Sequence, residues 1–272
     1  LEACGVPVPG ADYTWEQFLA DCETIKGRGY IPIACSLVEV PHYLFEFAVM
    51  NNGTVENHLE VPTLDENGNL RDDEVSRKWV AALNDIKALY DLGYFPPNTL
   101  TATDEETVSL FGNGKAAFLV DGSWQVGHLG ERFGDKIENM AVRFVPGKGE
   151  RKATEGIGGI SMGYFITRKA WKNPEKRDAA VRFVEMLTSN EILSTFIRTE
   201  VTALIDGASP VGLNSLEQSA AETNAQLTRV SLAVQDAISA EAKSTLFTSI
   251  QKVVTGQMTA EKAVATAIQR NE

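Results

Sequence analysis

Residues 112–129 read GNGKAAFLVDGSWQVGHL, and this stretch decides the fold class. It contains the apolar run 116–120, which predicts a short strand covered on both faces. Gly122 ends that strand, and Ser123 is placed to cap a helix that starts at Trp124. Open α/β sheets bind their ligands where strands end and helices begin. Trp124 is therefore predicted either to stack on a ligand or to belong to the core.

The bulk properties of the 272-residue chain restrict its class. A hydrophobic content of 43% is enough for the core of one large domain or two ordinary ones. The net charge of −12 repels phosphate backbones, which argues against nucleic acid as a partner. The apolar runs are shorter than the roughly 18 residues of a membrane span, and the first residues lack a signal-peptide pattern.

Helix and strand patterns alternate along the chain. Thr14 can cap a helix that starts at Trp15, and alternating apolar residues predict a strand at 30–36. The further predicted strands are 116–120, 140–145 and 160–167. The predicted helices are 15–26, 41–51, 74–92, 104–111, one from 124, one from 174, 189–199, 216–230, 242–255 and 259–269. Strands that alternate with helices, followed by helices only, predict an α/β fold.

Neither the cysteines nor the acidic loops have the spacing of a metal site. Cys4, Cys22 and Cys35 form no metal-ligand signature and cannot all pair. Buried free thiols are favoured, and a Cys4–Cys22 disulfide remains open. The acidic turn 65–68 hints at calcium, but Leu70 stands where the EF-hand pattern requires glycine. No metal site is therefore predicted.

Three glycine-containing motifs resemble catalytic signatures but lack the required context. Residues 159–163 fit G-x-S-x-G, yet glycines precede Ser161 where a strand is required, and the last histidine, His128, comes before it. Residues 112–115 are not followed by the Ser/Thr of a P-loop, and 156–163 lack the helix of a dinucleotide fingerprint. The carboxylates are too scattered to define a glycosidase pair. No catalytic residue and no cofactor are predicted.

Four short segments, in order over nearly the whole chain, carry a resemblance to a known family. They are 15–18 (WEQF), 114–117 (GKAA) followed by 122–124 (GSW), 156–159 (GIGG), and 173–175 (NPE) with Phe183 and 187–189 (LTS). Together they resemble the extracellular solute-binding proteins of bacterial ABC importers. The most similar branch is family 1, which includes the sugar- and maltodextrin-binding proteins.

The resemblance implies a periplasmic-binding-protein-like α/β fold of class II, with two lobes around a ligand cleft. It implies that residues 1–157 and 214–272 form the second lobe, and that 158–213 are a return segment of the first. Such proteins usually have half a lobe before a helix like the one at Trp15, so the first lobe is expected to be incomplete in this chain. An exposed apolar face is then expected where the absent segment would pack.

The resemblance also implies a ligand-binding site. Sugars have polar edges and apolar C–H faces, so their sites need an aromatic platform and a few polar groups. Trp124 is the preferred platform, and Tyr43 lies in a segment similar to the family's other aromatic ligand loop. Gly158 and Gly159 either let backbone approach the ligand or act as a hinge. The candidate ligand-binding residues are Ser36, Glu39, His42, Tyr43, Gly122, Ser123, Trp124, Gly158 and Gly159.

The function implied by the resemblance is that of the substrate-binding component of an ABC importer. Such a protein captures an extracellular sugar or oligosaccharide by lobe closure and delivers it to the permease subunits. It works at the outer face of the cell membrane or in the periplasm, uses no cofactor, and meets the membrane only through a lipid anchor absent from this chain. Two alternatives remain open: a secreted carbohydrate-active hydrolase, which requires paired carboxylates across a pocket, and a binding lobe reused as a sensor input.

Overall fold

The computed structural model describes residues 1–159, 163–196 and 212–271. Its helices and strands follow in chain order as α1 (Trp15–Gly27), β1 (Ile31–Ala34), α2 (Pro41–Asn51), α3 (Glu74–Asp91), α4 (Asp104–Gly112), β2 (Ala116–Leu119), α5 (Trp124–Phe133), β3 (Glu155–Ile157), α6 (Arg168–Trp171), α7 (Pro174–Leu187), α8 (Asn190–Phe196), α9 (Ser215–Ala225), β4 (Arg229–Ser231), α10 (Ala240–Val254) and α11 (Ala260–Ile268). Short 3-10 helices lie at Glu2–Cys4, Gly134–Asn139 and Val234–Ala237. The mixture of helices and strands is the α/β class that the sequence predicts.

The chain divides into two compact units. The first consists of Leu1–Gly122, Arg143–Ile157 and Gln226–Glu272, and the second of Ser123–Val142 and Gly158–Ala225. The chain therefore passes from one unit to the other four times, after residues 122, 142, 157 and 225.

Two pairs of parallel strands belong to the first unit: β1 pairs with β2, and β3 with β4. In the first pair Ile31 lies opposite Ala116, and Ile33 opposite Phe118. Parallel neighbours need a long crossover, which here contains α2, α3 and α4. The predictions of β1 and β2 are confirmed. Ala116 is buried but residues 117–119 are only half-buried, so the expected cover on both faces is partial.

The core of the first unit forms around α3. An apolar stripe on α3, formed by Trp79, Leu83, Ile86 and Leu89, is buried, and the helix packs against α2, α10 and α11. Buried members of this core include Phe45, Val49, Trp79, Leu83, Ile86, Leu246, Ile250 and Val264. The long helix predicted at 74–92 is therefore confirmed. It contacts α2, which precedes it in the chain, and α10 and α11, which lie near the end of the chain.

The helices begin where the sequence places their capping residues. The Thr14 hydroxyl accepts the Gln17 N–H at 3.2 Å, and the Gln17 side chain accepts the Thr14 N–H in return. Asn173 accepts the Lys176 N–H at the start of α7, and Pro174 occupies the first turn. Both predicted helix starts are confirmed.

Residues 140–145 do not form the strand that their apolar pattern predicts. The Val142 N–H donates to Ser219 Oγ at 2.8 Å, and Thr223 Oγ1 donates to the Val142 carbonyl at 3.0 Å. Both partners are side chains of α9. The backbone polar groups at Val142 are therefore satisfied by a helix surface instead of a neighbouring strand.

The prediction that only helices follow residue 214 is wrong. Helix α9 ends at Ala225, and the next residues pair with a distant part of the chain as β4. The Thr228 N–H donates to the Thr154 carbonyl at 2.9 Å, just before the two strands begin. The pairing joins segments far apart in sequence, so no local pattern could indicate it.

The second unit exposes an apolar surface. The predicted strand 160–167 lies partly outside the described residues, at 160–162, and residues 163–167 do not form a strand. Phe165 in this segment is 90% exposed, and α7 has no buried residue. The exposed large apolar side chains here are Tyr164, Phe165, Trp171, Phe183 and Met186. An exposed apolar face is therefore present in this segment.

Cys4, Cys22 and Cys35 are buried free thiols. The prediction of buried thiols is confirmed, and the Cys4–Cys22 disulfide is wrong. Burial raises the pKa of Cys22 and Cys35, and the negative charges of Asp21 and Asp104 add to the respective shifts. Both thiols are therefore uncharged near neutral pH and are poor nucleophiles.

The acidic turn at 65–68 is organised by its own backbone. Asp65 Oδ1 accepts the N–H groups of Asn69 at 2.8 Å and Asn67 at 2.9 Å. These bonds favour the charged carboxylate and lower the pKa of Asp65. The aspartate therefore acts as a turn-forming residue.

Candidate ligand-binding site

The parallel pairing of β1 and β2 brings the residues that follow the two strands to one edge of the sheet. Ser36 and Glu39 follow β1, and Asp121 and Gly122 follow β2. Ligands of open α/β sheets bind outside the carboxyl ends of strands. This edge is therefore where the candidate residues of the first unit gather.

Ser36 holds the turn after β1. Its buried hydroxyl donates to the Ala102 carbonyl at 2.7 Å and accepts the N–H groups of Glu39 at 3.0 Å and Val38 at 3.3 Å. These bonds use the donor and both acceptor sites of the hydroxyl. Ser36 is therefore suited to positioning the following residues rather than to contacting a ligand through its side chain.

Glu39 reaches the start of α4. It is exposed, and its Oε2 accepts the Asp104 N–H at 2.7 Å. A carboxylate at this position satisfies an N–H group that has no partner within the helix and opposes the positive end of the helix dipole. Glu39 thus fixes Asp104 next to the turn that Ser36 organises.

The surroundings of Asp104 raise the pKa of its carboxyl group. Burial is the main cause, and the negative charges of Asp121, Glu39 and Glu105 add to it, so the pKa of Asp104 rises from 3.8 to about 6. Asp104, Asp121 and Glu39 come from three separate segments. The strand-end edge therefore carries a concentrated negative charge that weakens as the pH falls through about 6.

The pH dependence of stability tests this environment. In the folded protein Asp104 binds a proton more tightly than in the unfolded chain, so the free energy of unfolding falls as pH rises between about 4 and about 6. The Asp104→Asn variant has no carboxyl group that titrates at this position, so it does not lose stability in this way as the pH rises. We expect the stability of the variant, relative to the original protein, to be greater at pH about 7 than at pH about 4.5 in urea titrations. The exposed Asp12→Asn serves as control, and an identical pH dependence in all three proteins would contradict the assignment.

His42 and Tyr43 lie in the first turn of α2. The His42 ring stacks on Phe247 of α10 with centroids 5.3 Å apart, and it contacts the Tyr43 ring at 4.3 Å. Its buried Nδ1 atom has no hydrogen-bond partner within the described part of the chain. Burial lowers the pKa of His42; Glu46 opposes this shift and Lys243 adds to it. His42 is therefore a neutral ring that packs α2 against α10, with Tyr43 half-buried beside it.

Trp124 begins α5 at the end of the loop that follows β2. Its side chain is 51% exposed, so it is not part of the core that the described residues form. Ser123 does not cap the helix as predicted: its hydroxyl accepts no capping bond, because its φ of −60° and ψ of −22° are helical rather than extended. The Gly122 N–H instead donates to Asp121 Oδ1 at 2.6 Å, which tightens the turn before the tryptophan.

Gly158 and Gly159 follow β3 directly and are exposed. Gly159 has a φ of 116°, a conformation that side chains with a Cβ rarely adopt. Ser161 of the G-x-S-x-G motif lies outside the described residues. The two glycines therefore lie where the chain leaves the first unit, and Gly159 has a backbone conformation that favours glycine.

The predicted residues are divided between the two units. Ser36, Glu39, His42, Tyr43 and Gly122 belong to the first unit, and Ser123, Trp124, Gly158 and Gly159 belong to the second. Hydrogen bonds join Ser36 to Glu39 and Glu39 to Asp104. Sequence reasoning missed Asp104. The acidic run 104–106 after Thr103 is a possible signal, but such runs are typical of helix starts, and Thr103 and Glu106 do form a capping box.

The family of the chain follows from a sequence match. Residues 11–211 match the sequence model of the family described as bacterial extracellular solute-binding protein. The chain belongs to this family, and the resemblance to extracellular solute-binding proteins is confirmed. The protein therefore works at the outer face of the cell membrane or in the periplasm. Among the described residues, no helix combines the length and the apolar character of a membrane span.

Several solved structures are similar to this chain. A chitin oligosaccharide binding protein has a TM-score of 0.74 and 19% identity, over 99% of this chain and 66% of that chain. A structure from a study of xylan utilisation by Caldanaerobius polysaccharolyticus has a TM-score of 0.69 and 18% identity, over 100% and 68%. A Streptococcus pneumoniae solute-binding protein in complex with the blood group A-trisaccharide has a TM-score of 0.67 and 15% identity, over 99% and 66%.

These likenesses concern the fold. At such identities they confirm the periplasmic-binding-protein-like α/β fold and nothing about the ligand. The chain spans about two thirds of the length of the similar structures, 66% of the first of them. No protein with a curated description matches the chain by sequence.

Proposed function

We propose that this protein is the substrate-binding component of a bacterial ABC importer and that its solute is a sugar or oligosaccharide. Membership of the extracellular solute-binding family supports the importer role. The names of two similar structures, a chitin oligosaccharide binding protein and a complex with a trisaccharide, support the choice of solute. The permease subunits are the proposed protein partner.

The exposed indole of Trp124 is the observation that carries the sugar assignment. A half-exposed tryptophan at a helix start, directly after a strand-end turn, presents a flat apolar face in a place where α/β folds bind ligands. The C–H face of a pyranose ring can stack on such a surface, while nearby polar groups fix its orientation. Trp124 is therefore the proposed platform.

The proposed mechanism is closure of two lobes around the solute, after which the permease recognises the closed form. We assign residues 1–157 and 214–272 to one lobe and 158–213 to the other. The two compact units differ from this division, because they group 123–142 and 214–225 with the second segment. Solute contacts with both lobes exist only in the closed state, so binding shifts the population toward it. The mechanism needs no covalent step and no cofactor.

Binding measurements on two tryptophan variants test this proposal. In thermal unfolding of the intact natural protein, we expect chito- or xylo-oligosaccharides to raise the midpoint temperature. A ligand at 100 times its Kd stabilises the folded state by about 2.7 kcal/mol. Trp124→Ala is expected to weaken the binding about tenfold or more. Trp171→Ala removes an indole that is 54% exposed, almost as much as Trp124, and is expected to bind as before.

The outcomes separate the parts of the proposal. If only amino acids or polyamines shift the unfolding midpoint, the protein binds a small solute, but that solute is not a sugar. Equal losses in the Trp124 and Trp171 variants would remove Trp124 as the platform. No shift with any compound would contradict a small-solute receptor.

A secreted carbohydrate hydrolase is the second candidate, and Asp104 is the observation in its favour. A carboxyl group with a pKa near 6 beside other carboxylates is the arrangement that glycosidases use as general acid. The Glu39 carboxylate already accepts the Asp104 N–H, so it is not free to act as the second carboxylate of a glycosidase pair. We therefore expect no release of reducing ends from the same oligosaccharides. A release that Asp104→Asn abolishes would establish the hydrolase instead.

A further inference from the structure

Three of the four connections between the units start from one small part of the first unit. The chain enters this unit at Arg143, leaves it at Ile157 and enters it again at Gln226. Residues 143–157 form one loop that ends in β3, and the chain after Gln226 forms β4 beside it. Any group that holds this loop therefore holds the starting points of three connections.

Arg151 is buried within this loop and bonds to both of its ends. Toward the β3 end, Nη2 and Nε donate to the Glu155 carbonyl at 2.6 and 3.1 Å. Toward the other end, Nη1 donates to the carbonyls of Pro146 at 2.8 Å and Val145 at 3.3 Å, and Nη2 also lies 3.3 Å from the Val145 carbonyl. The guanidinium thus bridges the two ends of the loop through backbone acceptors.

The bridged loop is also fixed to the body of the first unit. Arg151 Nη1 donates to Asn51 Oδ1 of α2 at 2.8 Å, and the guanidinium lies 5.5 Å from the centroid of the Phe47 ring. At the base of the loop, the Trp15 N–H donates to the Gly147 carbonyl at 2.7 Å. Helices α1 and α2 therefore anchor the loop from two directions.

The third connection joins the same assembly through β4. Glu155 and Gly156 of β3 lie opposite Arg229 and Val230 of β4. Glu155 is the residue whose carbonyl receives two of the Arg151 bonds. A shift of Glu155 must therefore move β4 as well, although Arg151 forms no hydrogen bond with β4 among the described residues.

The chemistry of arginine suits this position. Its guanidinium has five N–H donors in one plane, so it can serve acceptors on two opposite edges, whereas the ammonium of lysine is a single point. Burial lowers the pKa of Arg151 to about 10, and Glu155 opposes the shift, so the group stays charged at neutral pH. Removal of the side chain leaves buried carbonyls without donors.

We propose that Arg151 is a positioning residue that joins the starting points of three connections into one rigid base. Backbone rotation between the units is then confined to the crossings just beyond this base, at 142–143, 158–159 and 225–226, and to the separate connection after Gly122. The link to solute-driven closure rests on the proposed function, whereas the base itself is a property of the free protein.

Hydrogen–deuterium exchange tests the base without any ligand. In Arg151→Met we expect amide exchange to become faster by about tenfold or more in 143–147, 155–157 and 229–231 together, with the α3 amides unchanged. The exposed Arg270→Met, which removes only an ion pair with Glu241, is the control. Faster exchange confined to the loop, with β4 unchanged, would overturn the proposal. Should the methionine variant not fold, Arg151→Lys is expected to give the same pattern with smaller increases in the exchange rates.

Distances between spin labels test the consequence for motion. Labels at Asn84→Cys on α3 and Glu185→Cys on α7 report on the two units, and both positions are exposed. The native cysteines are buried, which leaves the introduced thiols as the reactive ones. We expect Arg151→Met, but not Arg270→Met, to broaden the distance distribution of the free protein. An unchanged distribution in a folded variant would refute the positioning role. The exchange rates and the label distances are both measured without a sugar. A failure of the protein to bind sugars would therefore change neither result.

Discussion

Replacement of Trp79 by alanine is expected to lower the free energy of unfolding of the first unit by about 3–5 kcal/mol. The Trp79 side chain is 0% exposed. Its ring meets Phe45 edge-on with centroids 5.4 Å apart, and its Nε1 donates to the Glu60 carbonyl at 3.1 Å. Alanine would leave a cavity between α2 and α3 and a carbonyl without its donor. Since domains are typically stable by only about 5–15 kcal/mol, this is a large share of the total.

Urea unfolding followed by circular dichroism measures the effect. Trp171→Ala is the matched control, because the same atoms are removed from a side chain that is 54% exposed. We expect that control to change stability by at most about 0.5 kcal/mol. Similar midpoints for the two alanine variants would show that the α3 stripe is not the centre of the core.

Replacement of Glu46 by leucine is expected to cost about 2–4 kcal/mol of stability. Glu46 is buried on α2, and its two oxygens accept separate backbone donors: Oε2 takes the Val234 N–H at 2.7 Å and Oε1 the Gln235 N–H at 2.9 Å. His58 Nε2 lies 3.4 Å from Oε2, but the two atoms do not form a hydrogen bond of good geometry. Leucine fills a similar volume but leaves both N–H groups buried and unpaired.

Two variants separate the lost acceptors from the lost volume. Glu46→Gln keeps one oxygen and replaces the other with a donor that faces an N–H group, so we expect an intermediate loss in urea unfolding. The exposed Glu66→Gln is the control for the change of charge and is expected to be neutral. A leucine variant as stable as the original protein would contradict the role of Glu46 as the anchor of the segment at 234–235.

The sequence predicts well what depends on local spacing and capping. The long helix at 74–92, the Thr14 cap and the helix start at Pro174 are local patterns, and the structure contains all three. Strand β4 depends on a partner far away in the chain, and the backbone at Val142 is satisfied by side chains of α9. Such long-range partners have no local signature, so these two segments were predicted incorrectly.

The candidate site shows the same limit. Trp124 could be selected because a strand-end motif precedes it, and its exposure agrees with a surface role. Ser123 looked like a helix cap, but its backbone angles exclude that role. The raised pKa of Asp104 depends on Glu39 and Asp121, which only the folded chain brings near it.

The placement of α10 and α11 has a consequence for how the protein is made. The stripe of α3 is covered by helices that begin only at Ala240, after the chain has twice left the first unit. During synthesis the part of α3 that packs against α10 and α11 stays uncovered until these late helices emerge from the ribosome, and native contacts of such long sequence separation form slowly. For a protein that works outside the cytoplasm, such late completion of the core is compatible with export of a chain that has not yet folded.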